Sequence, residues 1–250
     1  MDDKMTEIKL AVLDMDGTLL NSQDHVTDKT RSAIHEASRK GVDVMIATGR
    51  SLPAAQDHAK ALGLNEYIIT GNGSEIWLFP GPELVDRRPL NTDLVEMMWE
   101  LKHTYKARHW AASTSKVWKR EMPDNIASEE WLKFGYDLDD YQVREAILQE
   151  LSRYDGLEIS NSHPLNIEVN ASGVHKANAI EHVLKRKKLD IAQVMACGDS
   201  LNDIKMIQRA GAGVAMGNAQ DEVKEHADFV TGTNDEDGIV QAFKQYGVIS

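Results

Sequence analysis

The chain has 250 residues, 42% hydrophobic and 27% charged, with a net charge of −12 and a single cysteine, Cys197. That length can bury a sizeable core in one large unit or two modest ones, while one cysteine excludes an internal disulfide framework and a cysteine-rich zinc site. The acidic balance argues against a nucleic-acid partner, because a phosphate backbone calls for a basic face.

The start, "MDDKMTEIKL", is acidic and polar and lacks the basic and apolar blocks of a secretory leader. No apolar run reaches the roughly 18 residues of a membrane span. A cytoplasmic protein with no membrane partner is expected. The first apolar run, "KLAVLDMDGT", stops on two aspartates, Asp14 and Asp16. "TDKTRSAIHEASRKG" follows as a predicted helix, with Thr27 as N-cap and Gly41 as C-cap. "VDVMIATGRS" and "EYIITGNGS" repeat the habit of the first run: aliphatic residues passing into glycine and small polar residues. Runs of this kind read as strands buried on both faces.

From about residue 83 to 167 the pattern changes. "GPELVDRRP" reads as a linker. "TDLVEMMWELKH" follows as a helix with Leu94, Met97, Met98 and Leu101 on one face. "ARHWAAS" and "KVWKRE" are expected as strands, "NIASEEWLKFG" and "DDYQVREAILQEL" as helices, and "LEISNS" and "LNIEVN" as a hairpin around Ser162–Pro164. Trp110, Trp118 and Trp131 are expected to fill core or interface, and Arg108, Lys119 and Arg120 to lie on a solvated strand face. Beyond the insert, "HKANAIEHVLKRKK" and "SLNDIKMIQRAG" read as helices, "AQVMACGDSLND" and "AGVAMGNAQ" as strands, and the tail as an acidic loop and a last helix. The basic cluster at 184–188 closes a helical pattern, where cations suit the dipole.

Alternating strands and helices imply an α/β fold, a doubly wound parallel sheet, interrupted by an α+β insert. The expected division is a core from 1–82 and 168–250 around an inserted 83–167. Such sheets bind ligands beyond the carboxyl ends of their strands, so the polar ends of these runs are expected to meet. Asp14 and Asp16 would then stand near Asp199 and Asp203 of "CGDSLND". Carboxylates about 4 Å apart repel by roughly 4 kcal/mol per pair at an effective dielectric near 20, so the cluster calls for a cation. Hard oxygen donors without clustered histidine or cysteine point to Mg²⁺, which commonly shares its shell with a substrate phosphate. Thr48 and Gly49 offer a hydroxyl and an N–H to such a phosphate, and Lys176 an ammonium charge.

In this order and at these separations, "DMDGTLL", "ATGR", Lys176 and "GDSLND" resemble the four motifs of the haloacid dehalogenase superfamily of phosphatases. An insert between "GNGS" and the lysine resembles the Cof-type subfamily IIB, whose Rossmann-like core carries a type C2B cap. The likeness covers essentially the whole chain. It implies a Mg²⁺-dependent phosphatase acting on small phosphorylated metabolites, sugar phosphates first and a phosphorylated cofactor such as pyridoxal phosphate second. It implies Asp14 as the nucleophile that forms an aspartyl phosphate, and Asp16 as general acid and then base. The metal would be held by the carboxylates of Asp14 and Asp199 and the backbone carbonyl of Asp16. The Met15 N–H, Thr48, Gly49, Lys176 and Asn202 would bind the phosphoryl group, with Asp203 steadying metal or lysine. Arg50 stays open between the phosphate and an ion pair. His175 is expected at the surface or as a cap. Ala177 and "GNGS" depart from the glycine and Asn-Gly-Ala common in relatives, without touching a group that has a chemical role. Two alternatives are a phosphomannomutase-like phosphoryl transferase, which differs in the acceptor, and a phospho-accepting switch. The receiver domains that serve as such switches are about half this length and lack an insert.

Overall fold

Strand β1 (Leu10–Leu13) is buried on both sides, and its alternate residues serve two cores. Ala11 and Leu13 pack with Ala33, Ile34 and Ala37 of helix α1 (Asp28–Arg39), while Leu10 and Val12 pack with Ile180, Val183 and Leu184 of helix α5 (Lys176–Lys187). This computed structural model describes residues 6–250, so the first five residues of the acidic N-terminal stretch lie outside the described residues.

Chain order after α1 is β2 (Asp43–Ala47), α2 (Leu52–Ala61), β3 (Tyr67–Thr70), β4 (Glu75–Leu78) and β5 (Glu83–Arg87). The chain returns after the insert with α5, β11 (Val194–Gly198), α6 (Ile204–Arg209), β12 (Ala212–Ala215), α7 (Asp221–Glu225), β13 (Phe229–Val230) and α8 (Gly238–Gln245). One 8-stranded sheet results, in the order β13-β12-β11-β1-β2-β3-β4-β5. The strands from β13 to β3 are parallel; β4 and β5 add an antiparallel edge. The chain winds one way from β1 to β3 and the other way from β11 to β13. Between β1 and β11 lies the switch point at which such sheets open a binding crevice. Helix α1 starts where Thr27 accepts the N–H of Thr30, and Gly41, at φ +83°, follows its last turn.

The insert runs α3 (Thr92–Tyr105), β6 (Arg108–Ser113), β7 (Val117–Lys119), β8 (Trp131–Asp137), α4 (Tyr141–Leu151), β9 (Leu157–Ser160) and β10 (Asn166–Ala171). Its strands form a 5-stranded antiparallel sheet, β7-β6-β8-β10-β9. One face is apolar: Ala111, Phe134, Tyr136, Ile167 and Val169 pack with Val95 and Met98 of α3 and Ile147 and Leu151 of α4. On α3 the fully buried pair is therefore Val95 and Met98; Leu94, Met97 and Leu101 flank it half-buried.

Three expectations are corrected here. "NIASEEWLKFG" is a short 3₁₀ turn, Ile126–Ser128, followed by β8 rather than a helix. Capping residues ahead of charged ones imitate a helix start, but Trp131, Phe134 and Tyr136 favour a pleated position between two strands. "GPELVDRRP" is no linker, because Glu83–Arg87 pairs with β4 in the large sheet. Asn166–Ala171, which straddles the expected boundary at 167, belongs wholly to the small sheet. The chain thus passes between sheets after Arg87 and after Ala171, not at 83 and 167: a hairpin extends the core sheet before the crossing, and β10 needs its full length to pair with β8 and β9. No helix of the described residues is long and apolar enough to cross a membrane.

Phe134 has no exposed surface and packs against Tyr136, with ring centroids 5.2 Å apart and planes tilted by 59°, in the small core. Phe134→Ala is expected to lower stability by about 3–5 kcal/mol in urea unfolding, the range for removing a buried phenyl ring.

Candidate active site

At the carboxyl end of β1 the Asp14 N–H donates to the Cys197 carbonyl at 3.0 Å, fixing this turn to the end of β11. The turn folds back as Leu20 N–H donates to the Met15 carbonyl at 2.9 Å. Gly17 sits at φ +76°, and a Cβ there would lie 2.5 Å from Asp199 Oδ2. Only glycine allows both the backbone turn and the approach of the β11 loop.

That approach gathers the acids. Oxygens of Asp14, Asp199 and Asp203 lie within 4.8 Å of one another. Lys176, the first residue of α5, is completely buried and places Nζ 2.5 Å from Asp14 Oδ1 and 2.7 Å from Asp203 Oδ1. The other Asp203 oxygen accepts the N–H groups of Asp199 and Ser200, at 3.0 and 3.1 Å. Asp199 accepts from Thr18 Oγ1 and Ser200 Oγ, both at 3.0 Å. Burial opposes the Lys176 charge, but Asp14 and Asp203 outweigh it and push the ammonium's pKa up. Asp14 is raised well above the usual carboxylate range, by burial first and by the Asp203 and Asp199 charges, against the pull of Lys176. Asp199 is raised to about 7 by burial and by Asp203, despite its two hydroxyl donors. One ammonium among three carboxylates leaves negative charge in excess. The donors are hard oxygens, so the cluster fits a divalent cation.

The expected residues divide by depth. Asp14, Asp16, Gly49 and Asn202 line a cavity of about 980 Å³ between the two sheets. Met15, Thr48, Lys176 and Asp203 are buried behind them. The Thr48 hydroxyl accepts the Arg50 N–H at 3.1 Å. Asp16 turns away from the other acids. Its carboxylate is gripped by Arg50, whose Nε lies 3.0 Å from Oδ2 and whose terminal nitrogen lies 2.5 Å from Oδ1; the same nitrogen is 2.7 Å from Asp24. This settles Arg50 as an ion-pair partner. Asn202 donates its amide to Asn72 Oδ1 at 3.2 Å, leaving its own Oδ1 buried without a partner. In this orientation Asn202 offers a ligand an acceptor, suited to a hydroxyl or bound water rather than a phosphoryl oxygen. His175 caps α5 by accepting the Asn178 N–H at 3.2 Å.

The polar face of the small sheet covers this crevice and brings residues that sequence reasoning did not single out. Lys133 is buried, with Nζ 2.7 Å from Glu168. Glu168 also accepts from Asn72 Nδ2 at 2.8 Å and Ser162 Oγ at 2.7 Å. Burial pushes the Glu168 carboxyl up, but Lys133 and these donors outweigh it and hold it below the usual range. Asn170 donates to the Gly71 carbonyl at 2.8 Å, so β10 rests directly on the loop after β3. The alternation Asn166, Glu168, Asn170 against Ile167 and Val169 marks this polar face in the sequence. Lys133 had no such signal while its segment read as a helix. Trp131 is core as expected and Trp118 packs on it, but Trp110 lines the cavity, as do Arg108, Lys119 and Arg120.

A sequence profile described as haloacid dehalogenase-like hydrolase matches residues 11–131 and 119–243. A 5-amino-6-(5-phospho-D-ribitylamino)uracil phosphatase of Bacillus subtilis, YcsE, is 50% identical over 240 residues, covering 96% of each chain. Among solved structures, the phosphatase BT1666 of Bacteroides thetaiotaomicron superposes with a TM-score of 0.87 at 27% identity, covering 100% of this chain and 98% of that one. The subclass IIB sugar phosphatase BT4131 gives 0.83 at 25% identity, covering 96% and 100%. The chain belongs to the haloacid dehalogenase-like hydrolases. Within them it is a phosphatase of the Cof-type, IIB kind.

Removing the Lys176 charge strands two buried carboxylates. Lys176→Met is expected to cost about 3–5 kcal/mol in urea unfolding. Adding Asp203→Asn to that variant is expected to return part of the loss, because one stranded charge is then gone.

Proposed function

We propose that this protein is a Mg²⁺-dependent phosphatase that works through an aspartyl phosphate on Asp14, and that its substrate is a phosphorylated polyol chain carried on a planar pyrimidine. The observation that carries the catalytic part is the buried ammonium of Lys176 shared between Asp14 and Asp203, with Asp199 beside them. The substrate follows the 50% identical relative, whose name specifies 5-amino-6-(5-phospho-D-ribitylamino)uracil.

Asp14 and Asp199, with the Asp16 backbone carbonyl, would hold the cation. When bound, Mg²⁺ supplies positive charge to the phosphoryl oxygens and holds the group in line with its attacker. The Asp14 carboxylate attacks phosphorus, the ester P–O bond breaks, and the leaving oxygen takes a proton from Asp16. Asp16, now a carboxylate, takes a proton from the water that attacks the phospho-Asp14 phosphorus, releasing inorganic phosphate and free Asp14. Lys176 stays charged throughout and offsets the charge carried on Asp14. Gly49 and Met15 would hold phosphoryl oxygens through their N–H groups, and Thr48 would shape that loop. Asn202 would accept a hydrogen bond from the leaving alcohol or from water through its Oδ1, and Asp203 would hold Lys176 in place. Arg50 orients the Asp16 carboxyl through its guanidinium fork, and the remaining lone pairs of that carboxyl stay open toward the leaving oxygen.

Two outcomes test this. Asp14→Asn is expected to lower kcat by about 10⁴-fold or more while leaving the circular dichroism spectrum unchanged; equal activity in both proteins ends the mechanism. In the same assay the native enzyme is expected to turn over the phosphoribityl-aminouracil with at least about tenfold higher kcat/KM than sugar phosphates or pyridoxal phosphate.

The raised Asp199 value sets a pH dependence. The folded metal-free protein holds this proton up to about 7, against 3.8 for the ordinary carboxyl, so it binds more protons than the unfolded chain across that window. Its contribution to metal-free stability therefore falls as pH rises from about 4 to 7. A cation held by Asp199 would require that carboxyl without its proton. The rise in Tm on adding Mg²⁺ is expected to be larger at pH 8 than at pH 6, and a larger rise at pH 6 would contradict a site built on Asp199.

A further inference from the structure

On the cavity face of the small sheet, Trp110 of β6 stands directly across from Gly135 of β8. A Cβ placed on Gly135 would lie 2.3 Å from Cε2, 2.4 Å from Cζ2 and 2.7 Å from Nε1 of the indole. Three contiguous ring atoms at such short distances mean that the indole packs directly on the Gly135 backbone. Any side chain at 135 would lift the ring off the sheet. Trp110 also lines the cavity, so part of its ring surface is turned toward the site where the leaving group must lie. Trp131, by contrast, is 1% exposed and spent in the small core.

The surroundings are those of a ring-binding subsite. Val117 and Leu132 supply apolar wall, while Lys119 and Arg120 supply donors around it, Arg108 being paired with Asp139. The Lys133 ammonium lies 5.1 Å from the Trp110 ring centroid. The same nitrogen would be 3.1 Å from a Cβ placed on Gly49, in the loop that would hold the phosphate. A single lysine head therefore separates the indole from the phosphate loop, and a short polyol chain is what would join a phosphoryl group at one to a ring at the other. Glu168, the other cross-strand neighbour of Gly135, fixes that lysine.

We propose that Trp110, packed on Gly135, is the stacking platform for the planar heteroaromatic ring of the leaving group, and that it makes the enzyme select ring-bearing phosphomonoesters over bare polyol or sugar phosphates. This subsite rests on the ring-bearing substrate proposed above. Stacking on an indole tolerates many ring types, because every such ring has a π face. The platform thus sets the class of leaving group, and the donors around it choose the ring.

The test compares 5-amino-6-(5-phospho-D-ribitylamino)uracil with D-ribitol 5-phosphate, which has the same phosphorylated chain and no ring, in the native enzyme and in Trp110→Leu, Trp110→Phe and Trp110→Ala. Trp110→Leu keeps apolar bulk over Gly135 and removes the π face, so it remains informative if the alanine variant does not fold. Trp110→Leu is expected to raise KM for the ring-bearing ester by about 5- to 100-fold, with kcat within about twofold and the ringless ester unaffected. Trp110→Phe is expected to restore most of the loss. The inhibition constant of the dephosphorylated ring product should rise in the same order. If Trp110→Leu slows both esters equally, or neither, Trp110 only covers the sheet and the stacking role is wrong, while the proposed substrate stands. If the native enzyme prefers ribitol 5-phosphate, the proposed substrate falls and the platform with it.

Discussion

A fully buried ammonium is the constraint around which this site is organised. Taking a lysine head group out of water costs several kcal/mol unless it is closely paired. Lys176 is paired twice, to Asp14 at the end of β1 and to Asp203 after β11. These contacts tie the start of α5 to two adjacent strand ends that are remote in sequence. Asp203 then uses its second oxygen to shape the loop carrying Asp199, and Gly17 leaves room for that loop to close. The arrangement gathers more negative charge than one lysine neutralises. That imbalance is what fits the cluster to a divalent cation.

The small sheet meets the same crevice by different means. A strand pleat sends alternate residues to opposite faces. One face of the antiparallel sheet buries Phe134, Tyr136, Ile167 and Val169 against two helices, so the other must carry Lys133, Glu168, Asn170 and Trp110. These polar residues do not simply face water. Glu168 reaches Asn72 and Asn170 reaches Gly71, so the loop after β3 is held from above by the insert and from below by the core. The acids and the lysine of the candidate site thus sit on parallel-sheet strand ends, and Trp110 and Lys133 sit on an antiparallel face laid across them.

The Arg50–Asp16 pair ties neighbouring strand ends together at the rim of the crevice. It satisfies the more exposed of the strand-end acids, and the same guanidinium nitrogen reaches Asp24, so the loops after β1 and β2 are held to one another by charge.

Much of the core was legible because its signals are local. Strands buried on both faces read as short aliphatic runs, and their polar ends read as the place where ligands meet, so Asp14, Asp16, Thr48, Gly49, Lys176, Asp199, Asn202 and Asp203 could be named from spacing and from family resemblance. The insert was read less well. Its first helix, its hairpin and α4 are legible in the sequence, but β8 reads as a helix, because capping residues and acids ahead of Trp131 imitate a helix start while the preference of aromatic residues for a pleat depends on neighbours that are distant in the chain.

The sequence alone determined the alternation of elements and the chemical types at the strand ends, since both follow from periodicity and composition over a few residues. Tertiary structure alone decided which atoms meet: that Arg50 takes Asp16, that Asn202 spends its amide on Asn72, that Lys133 finds Glu168, and that Trp110 packs on Gly135. Each is a contact between separate elements, and its partner is chosen by strand register and the docking of one sheet on another, which no short stretch of chain encodes.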